Sequence, residues 1–158
     1  MDSQLIGVIS DTHGLVRPEA LAALRGSELI IHAGDVGGSH VLESLQTIAP
    51  VVAVRGNIDK GPWAQALPKI EVVEVSRTWL YVIHDLNELD LDPSAAGFSA
   101  VISGHTHQPS IQNRKGVLLL NPGSAGPRRF ELPVCVALID VKGGMLELRL
   151  IELKLAGM

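Results

Sequence analysis

The chain has 158 residues, 46% of them hydrophobic and 19% charged, and a formal net charge of -4. That length suits one domain, residues 1–158, with a substantial buried core, and the mean hydropathy of +0.27 is that of an ordinary globular protein. The composition argues against a membrane span, which needs about 18 consecutive apolar residues, against a basic nucleic-acid-binding surface, and against an intramolecular disulfide, since Cys135 is the only cysteine.

The opening Met-Asp-Ser-Gln-Leu-Ile-Gly has neither the basic flank nor the long apolar region of a signal peptide. A lone cysteine fits a reducing compartment. The cytoplasm is therefore the expected location, with no membrane and no stable nucleic-acid partner.

In chain order, the apolar run Gln4–Ile9 ends at Ser10-Asp11-Thr12-His13-Gly14 and reads as a buried strand. Pro18 suits a first helical turn, and Glu19–Arg25 reads as a short helix stopped by Gly26. Glu28–His32 is the next strand and leads into Ala33-Gly34-Asp35. A second helix is expected over Ser39–Ile48, with Ser39 as its cap and Pro50 just beyond it. Val51–Val54 is a third strand, running into Arg55-Gly56-Asn57. The repeat of strand, loop and helix predicts a parallel sheet with crossover helices.

The second half alternates instead. Lys69–Ser76 and Thr78–Ile83 read as a hairpin turning at Ser76-Arg77. Ala100–Ser103 and Val117–Leu120 are buried strands ending in Gly104-His105 and Asn121-Pro122-Gly123. Val134–Val141 and Leu146–Leu155 flank a turn at Lys142-Gly143-Gly144. The last strand slips phase at Ile151, which a bulge would explain. Two sheets packed on each other, with helices over the outer faces, are expected.

The metal-capable residues gather just past strand ends: Asp11 and His13, then Asp35, Asn57, His84, and His105 with His107. Strand carboxyl ends are where loops converge over a crevice. Seven oxygen and nitrogen donors are too many for one tetrahedral ion and about right for two. Carboxylates, an amide oxygen and neutral imidazoles suit manganese, iron, zinc or a similar divalent ion; with no thiolates, a closed structural zinc site is not indicated. Two neighbouring ions can clamp a phosphoryl group, and Asp35 is the expected bridging carboxylate. Gly34, Gly56 and Gly104 each precede a candidate ligand and leave room for a sharp turn.

Asp11-Thr12-His13, Gly34-Asp35, Gly56-Asn57, His84 and Gly104-His105-Thr106-His107 together resemble the calcineurin-like metallophosphoesterases, over about Leu5 to Pro127. Order and length are most similar to the small YfcE-type phosphodiesterases, whose relatives include the Vps29-type retromer subunit. Asn121-Pro122-Gly123-Ser124 also looks like a motif of that subgroup. The resemblance implies a four-layer α/β/β/α sandwich of two mixed β-sheets flanked by helices. It implies one metal on Asp11, His13 and His107, a second on Asn57, His84 and His105, and Asp35 between them. The nucleophile would be a hydroxide bridging the metals. Manganese leads the expected ions, ahead of iron, zinc, nickel, cobalt or magnesium, and a homodimer or homotetramer is the expected assembly.

Two positions depart from the pattern. Larger relatives carry a histidine after the asparagine, proposed to protonate the leaving group, where this chain has Ile58. Subgroup members usually have glycine after the fifth ligand, where this chain has Asp85, which would either orient His84 or crowd the substrate. Arg55 reads equally as a phosphate contact or a rim residue, and Asp59 as a solvent-mediated site contact or a turn carboxylate. His32 and His40 read as loop residues, His32 in or near the core and His40 solvated. Arg128-Arg129 reads as a solvated surface pair, and Trp63 and Trp79 as packing residues.

The leading expectation is a phosphodiesterase acting on a small phosphate ester. Its alternatives are a non-catalytic Vps29-like protein-binding scaffold and a phosphomonoesterase or nucleotidase.

Overall fold

The computed structural model describes residues 3–129 and 131–155. Among these, the β-branched and leucine-rich runs form ten strands in two mixed sheets. The first sheet contains β1 (Ser3–Ile9), β2 (Leu29–His32), β3 (Val51–Ala53), β9 (Cys135–Lys142) and β10 (Met145–Glu152), ordered β10-β9-β1-β2-β3. The second contains β4 (Ile70–Val75), β5 (Thr78–Ile83), β6 (Ala100–Ile102), β7 (Ser110–Arg114) and β8 (Val117–Asn121), ordered β4-β5-β6-β8-β7. Each sheet contains a parallel trio, β1-β2-β3 and β5-β6-β8; in the first it forms one side, with β9 and β10 antiparallel beyond β1, and in the second it is central, flanked by antiparallel β4 and β7.

The two sheets face each other across one apolar layer. Ile6, Val8, Ile31 and Ile139 meet Val73, Leu80, Val82, Ile102 and Leu120 there. Outside the first sheet lie α1 (Pro18–Leu24), α2 (Ser39–Gln46) and α3 (Pro62–Gln65). Leu24, Val41 and Leu45 pack on Ile9, Ile30 and Val136. Over the second sheet the covering layer is thinner: Leu86, Leu89 and Phe98, from a 3-10 turn (Leu86–Glu88) and the following loop, lie on Tyr81, Ile83 and Leu119. The expected layer order holds, with a loop doing on this side what helices do on the other. Among the described residues no helix is long and apolar enough to cross a membrane.

Three local expectations are corrected. Gly38, not Ser39, caps α2, without a side-chain hydrogen bond, because the ring of His40 lies where a Cβ at Gly38 would project. No bulge interrupts β10: its pairing with β9 runs unbroken from Met145 to Glu152. Its apolar positions change sides instead, Leu146 and Leu148 joining the inter-sheet layer and Ile151 and Leu153 the helix-facing layer. Strand β7 has no counterpart in the sequence pattern. It is an edge strand with polar residues around one partly exposed Ile111, so neither periodicity nor an apolar run marks it. The hairpin at Ser76-Arg77 is as expected; both residues have positive φ, 47° and 67°, as a tight primed turn requires.

Candidate metal centre

The parallel trios determine where the polar loops arrive. Just past the ends of β1, β2 and β3 come Asp11, Asp35 and Asn57, and just past β5 and β6 come His84 and His105. All seven sequence-predicted ligands are thereby brought to one edge of the sandwich. Asp11, His13 and His107 offer ligand atoms within 4.8 Å of one another, and so do Asp11, Asp35 and His84. Asn57 completes the second group, its Oδ1 3.1 Å from His84 Nε2. His105 stands beside the cluster, with its ring edge-on to that of His84 at 5.2 Å between centroids.

Asp35 Oδ2 lies 3.3 Å from His84 Nε2 and 3.7 Å from His13 Nε2, between the two groups. Asp11 Oδ1 is also central, 3.4 Å from His107 Nε2 and 3.9 Å from His84 Nε2.

Several of these residues occupy strained backbone. Asp11, His13, Asp35, His105 and His107 all have φ between 48° and 74°, a region that costs non-glycine residues of order 1–3 kcal/mol each and clusters at functional sites. Loop-to-loop hydrogen bonds hold them there: the amides of Asp11 and His13 donate to the carbonyls of Gly34 and Asp35, each at 3.0 Å. Two glycines make the approach close. A Cβ at Gly56 would collide with the Asp35 carboxylate and amide, and one at Gly104 with Ser10 and the Asp11 carboxylate. The glycines thus make space for the ligating carboxylates rather than simply for a turn.

The donor set suits a cation. His84 Nδ1 donates to the Ala33 carbonyl at 2.7 Å, leaving Nε2 to face inward. Asp11 Oδ1 is fully buried with no hydrogen-bond partner, and His105 Nδ1 and His107 Nδ1 are likewise buried without one. The Asn57 amide faces His84 Nε2 and Asp35, and its hydrogen bonds are satisfied with the nitrogen inward, donating to Asp35 Oδ1 and Oδ2 at 3.2 and 3.3 Å and to His84 Nε2 at 3.1 Å; with the oxygen inward it would offer a cation one further donor atom. A buried acceptor without a donor costs about 1–3 kcal/mol; coordination to a metal removes that penalty.

Electrostatics within the cluster are divided. Burial pushes the Asp11 carboxyl up, against the lowering pull of Ser10, His84 and His107. Burial acts the same way on Asp35, but hydrogen bonds from His84 and from the Ile58 amide outweigh it and hold Asp35 below its ordinary value. Burial opposes protonation of His84, yet its contacts with Asp35 and Asp11 raise it. His107 is lowered, chiefly by burial. Beside two carboxylates His84 takes up a proton more readily than a free imidazole, and a cation bound there would compete with that proton.

The supporting residues were only partly legible. Asp59, read from the sequence as a site contact or a turn carboxylate, ties two loops together: Oδ2 accepts from the amides of Val36 (3.1 Å) and Gly56 (2.9 Å), and Oδ1 from that of Gly37 (2.9 Å). His32 is fully buried, with Nδ1 accepting from the Gly34 amide and Nε2 donating to the Thr12 hydroxyl, which passes its own proton to the Val36 carbonyl. Burial pushes this imidazole down to about 3. His40, expected to be solvated, is exposed but donates from Nε2 to the Gly14 carbonyl at 2.7 Å.

The Asn121-to-Ser124 motif acquires a role here. Asn121 Nδ2 donates to the Gly104 carbonyl and the Thr106 hydroxyl, and Ser124 Oγ to the Asp11 carbonyl. Ser10, which no sequence signal marked, donates to Asp11 Oδ2 at 2.7 Å. Asp85 does not orient His84, whose Nδ1 is taken by Ala33; its Oδ2 lies 3.8 Å from His105 Nε2.

Beside the cluster opens a cleft of about 270 Å³, lined by Arg55, Asn57, Lys69, Ile83, His84 and His105 among others. A larger cavity of about 480 Å³ lies elsewhere, at Arg128, Pro133 and Lys154, and contains none of these donors.

Two facing mixed sheets that deliver carboxylates, an amide and imidazoles to one edge define the sandwich class of metal-dependent hydrolases. Residues 5–144 match the calcineurin-like phosphoesterase superfamily domain. The chain belongs to that superfamily and is a metal-dependent phosphoesterase. It is 40% identical over 149 residues to a probable metallophosphoesterase of Methanothermobacter thermautotrophicus, covering 86% of each chain. It is 27% identical over 161 residues to the phosphodiesterase YfcE of Escherichia coli, covering 83% of this chain and 84% of that one. In fold it is similar to Vps29 of Chaetomium thermophilum, with a TM-score of 0.77 at 18% identity over 95% of this chain and 97% of that one.

Proposed function

We propose that this phosphoesterase hydrolyses phosphodiesters with two divalent ions, one on Asp11, His13 and His107 and one on Asn57, His84 and His105, with Asp35 between them. The observation that carries the reading is the convergence of metal-capable atoms around Asp11 Oδ1, which is buried without a hydrogen-bond partner: His107 Nε2 and His84 Nε2 lie 3.4 and 3.9 Å from it, and Asp35 Oδ2 lies 3.3 Å from His84 Nε2. When bound, the ions supply Lewis acidity to the phosphoryl group and a nucleophile at neutral pH. Manganese is the first ion to try, since oxygen and imidazole donors suit several metals and availability decides among them.

The chain's own residues do the remaining work. His84, held by Ala33, presents one nitrogen in a fixed direction. Arg55 and Lys69 line the cleft and attract an anionic ester. Ile58, 41% exposed, stands where larger relatives carry a histidine, so the leaving group takes its proton from solvent, which suits diesters with acidic leaving groups. The substrate is a small ester and the setting cytoplasmic.

The scaffold reading gains one observation. Ile70, Val72 and Trp79 are exposed on the outer side of the β4–β5 edge, Trp79 contrary to its expected packing role. An intact donor cluster argues against a purely non-catalytic chain.

The test is hydrolysis of bis-p-nitrophenyl phosphate by metal-stripped protein titrated with manganese, beside Asp35→Asn. Turnover that needs metal and is lost in the variant is the expected result. Two equivalents bound with no turnover on any diester or monoester would move the assignment to the scaffold.

A further inference from the structure

We propose that Asp85 is a positioning residue for the second metal site: its carboxylate holds Nε2 of His105 so that Nδ1 faces the ion. This rests on the two-metal reading above. The ring of His105 is divided between two environments. Its Nδ1 is buried and has no partner, while the side chain as a whole is 40% exposed and its Nε2 looks toward Asp85 Oδ2 at 3.8 Å.

Both ends of the ring's setting are fixed. Asp85 is pinned by its other oxygen, Oδ1, which accepts from the Asn87 amide at 3.0 Å and caps the 3-10 turn. The backbone of His105 is pinned by its amide, which donates to Asp11 Oδ2 at 3.1 Å. From 3.8 Å, a rotation of the imidazole about the His105 side chain would bring Nε2 within hydrogen-bond distance of Oδ2. That contact makes Nε2 the protonated nitrogen and leaves the lone pair on Nδ1.

The neighbouring imidazole shows the same arrangement with the nitrogens exchanged. His84 gives its Nδ1 proton to a backbone carbonyl and turns Nε2 inward. Among the described residues, no backbone carbonyl is hydrogen-bonded to either ring nitrogen of His105, so the side chain of Asp85 takes the carbonyl's place. A carboxylate is a stronger acceptor than a carbonyl and increases the basicity of the imidazole it holds. Outer partners of this kind are worth about 10–100-fold in metal affinity.

The experiment is calorimetric titration of the metal-stripped, full-length protein with manganese chloride, for wild type, Asp85→Asn, Asp85→Gly, His105→Ala and the double variant Asp85→Gly/His105→Ala. Asp85→Asn keeps an acceptor for the Asn87 amide, so it separates the lost charge from a lost fold. The expected result is two equivalents in wild type, with one weakened about 10–100-fold in both Asp85 variants and the other unchanged. The double variant should bind no more weakly than His105→Ala, because Asp85 acts through His105. Unchanged affinities, additive losses, or equal weakening of both equivalents with a lower metal-free melting temperature would overturn the assignment while leaving the two-metal enzyme standing. A wild type that binds a single equivalent would remove the two-metal reading and this inference with it.

Discussion

The two halves of the donor cluster share buried carboxylates and left-handed backbone but differ in how far they open to the cleft. Asp11 and His107 are buried and line no part of it, and His13 beside them is only partly exposed. In the other half Asp35 and His84 are buried, but Asn57 is exposed, His105 is partly exposed, and Asn57, His84 and His105 all line the cleft. One half is closed over; the other meets a surface that a ligand can reach. An ion in the first is expected to be retained and one in the second to exchange, which places substrate contact on the second.

The sharpest way to break that contrast is at Asp35, which touches both halves. Asp35→Asn should lower turnover by more than the roughly 100-fold that marks the upper end for loss of an outer partner, and reduce manganese binding below two equivalents. Retained stoichiometry with retained turnover would end its bridging role. Next in size is Asp59→Ala, which strands the buried amides of Val36 and Gly56 and the more exposed amide of Gly37. A loss of about 3 kcal/mol in urea unfolding is expected, since each unsatisfied donor costs about 1–3 kcal/mol and relaxation recovers part. A change under about 0.5 kcal/mol, the scale of an ordinary surface substitution, would mean that water replaces the carboxylate without penalty.

His32 adds a pH dependence that both halves share, because it links Thr12 of one loop to Gly34 of the other. The folded chain keeps this imidazole neutral down to about 3, whereas the unfolded chain protonates it near the ordinary value of 6.5. Between those values the unfolded state binds the extra proton. Its contribution to stability is therefore full above 6.5 and lost as pH falls through the window, by about 1.4 kcal/mol per pH unit. Unfolding measured from pH 6.5 to 5 should show that slope in wild type and not in His32→Gln; an unaltered slope assigns it to other groups. The smallest effect is a gain. Ile58→His restores an imidazole at an exposed position on the open half, and should raise turnover of a diester with a poor leaving group about 10-fold or more. Equal gains on activated and unactivated esters would point to something other than proton donation.

The candidate donors were legible because each follows a short apolar run bounded by turn residues, and because aspartate, asparagine and histidine recur there with glycine. Their strained backbone was not, since nothing in Asp11 or His105 as residue types requires positive φ; the loops packed against them impose it. Asp59 and Ser10 were obscure for a related reason. Asp59 reaches the amides of Val36 and Gly37 from more than twenty residues away, and no spacing rule marks Ser10, although its partner is the adjacent Asp11. Edge strand β7 escaped because solvent on its open side removes the need for alternation. The changing sides of β10 looked like an irregularity in sequence and proved to be a regular strand with two different neighbours.

Strand β9 lies directly against β1, pairing Lys142 with Ser3 at one end and Ala137 with Val8 at the other. On a ribosome β1 emerges well before β9, and the β1 edge that β9 covers stays unpaired until residues 137–142 have followed. The partly made chain carries an apolar strand edge of the kind that templates intermolecular pairing. His13 and His107 meet across 94 residues of sequence, so their half of the site also forms only after most of the chain exists.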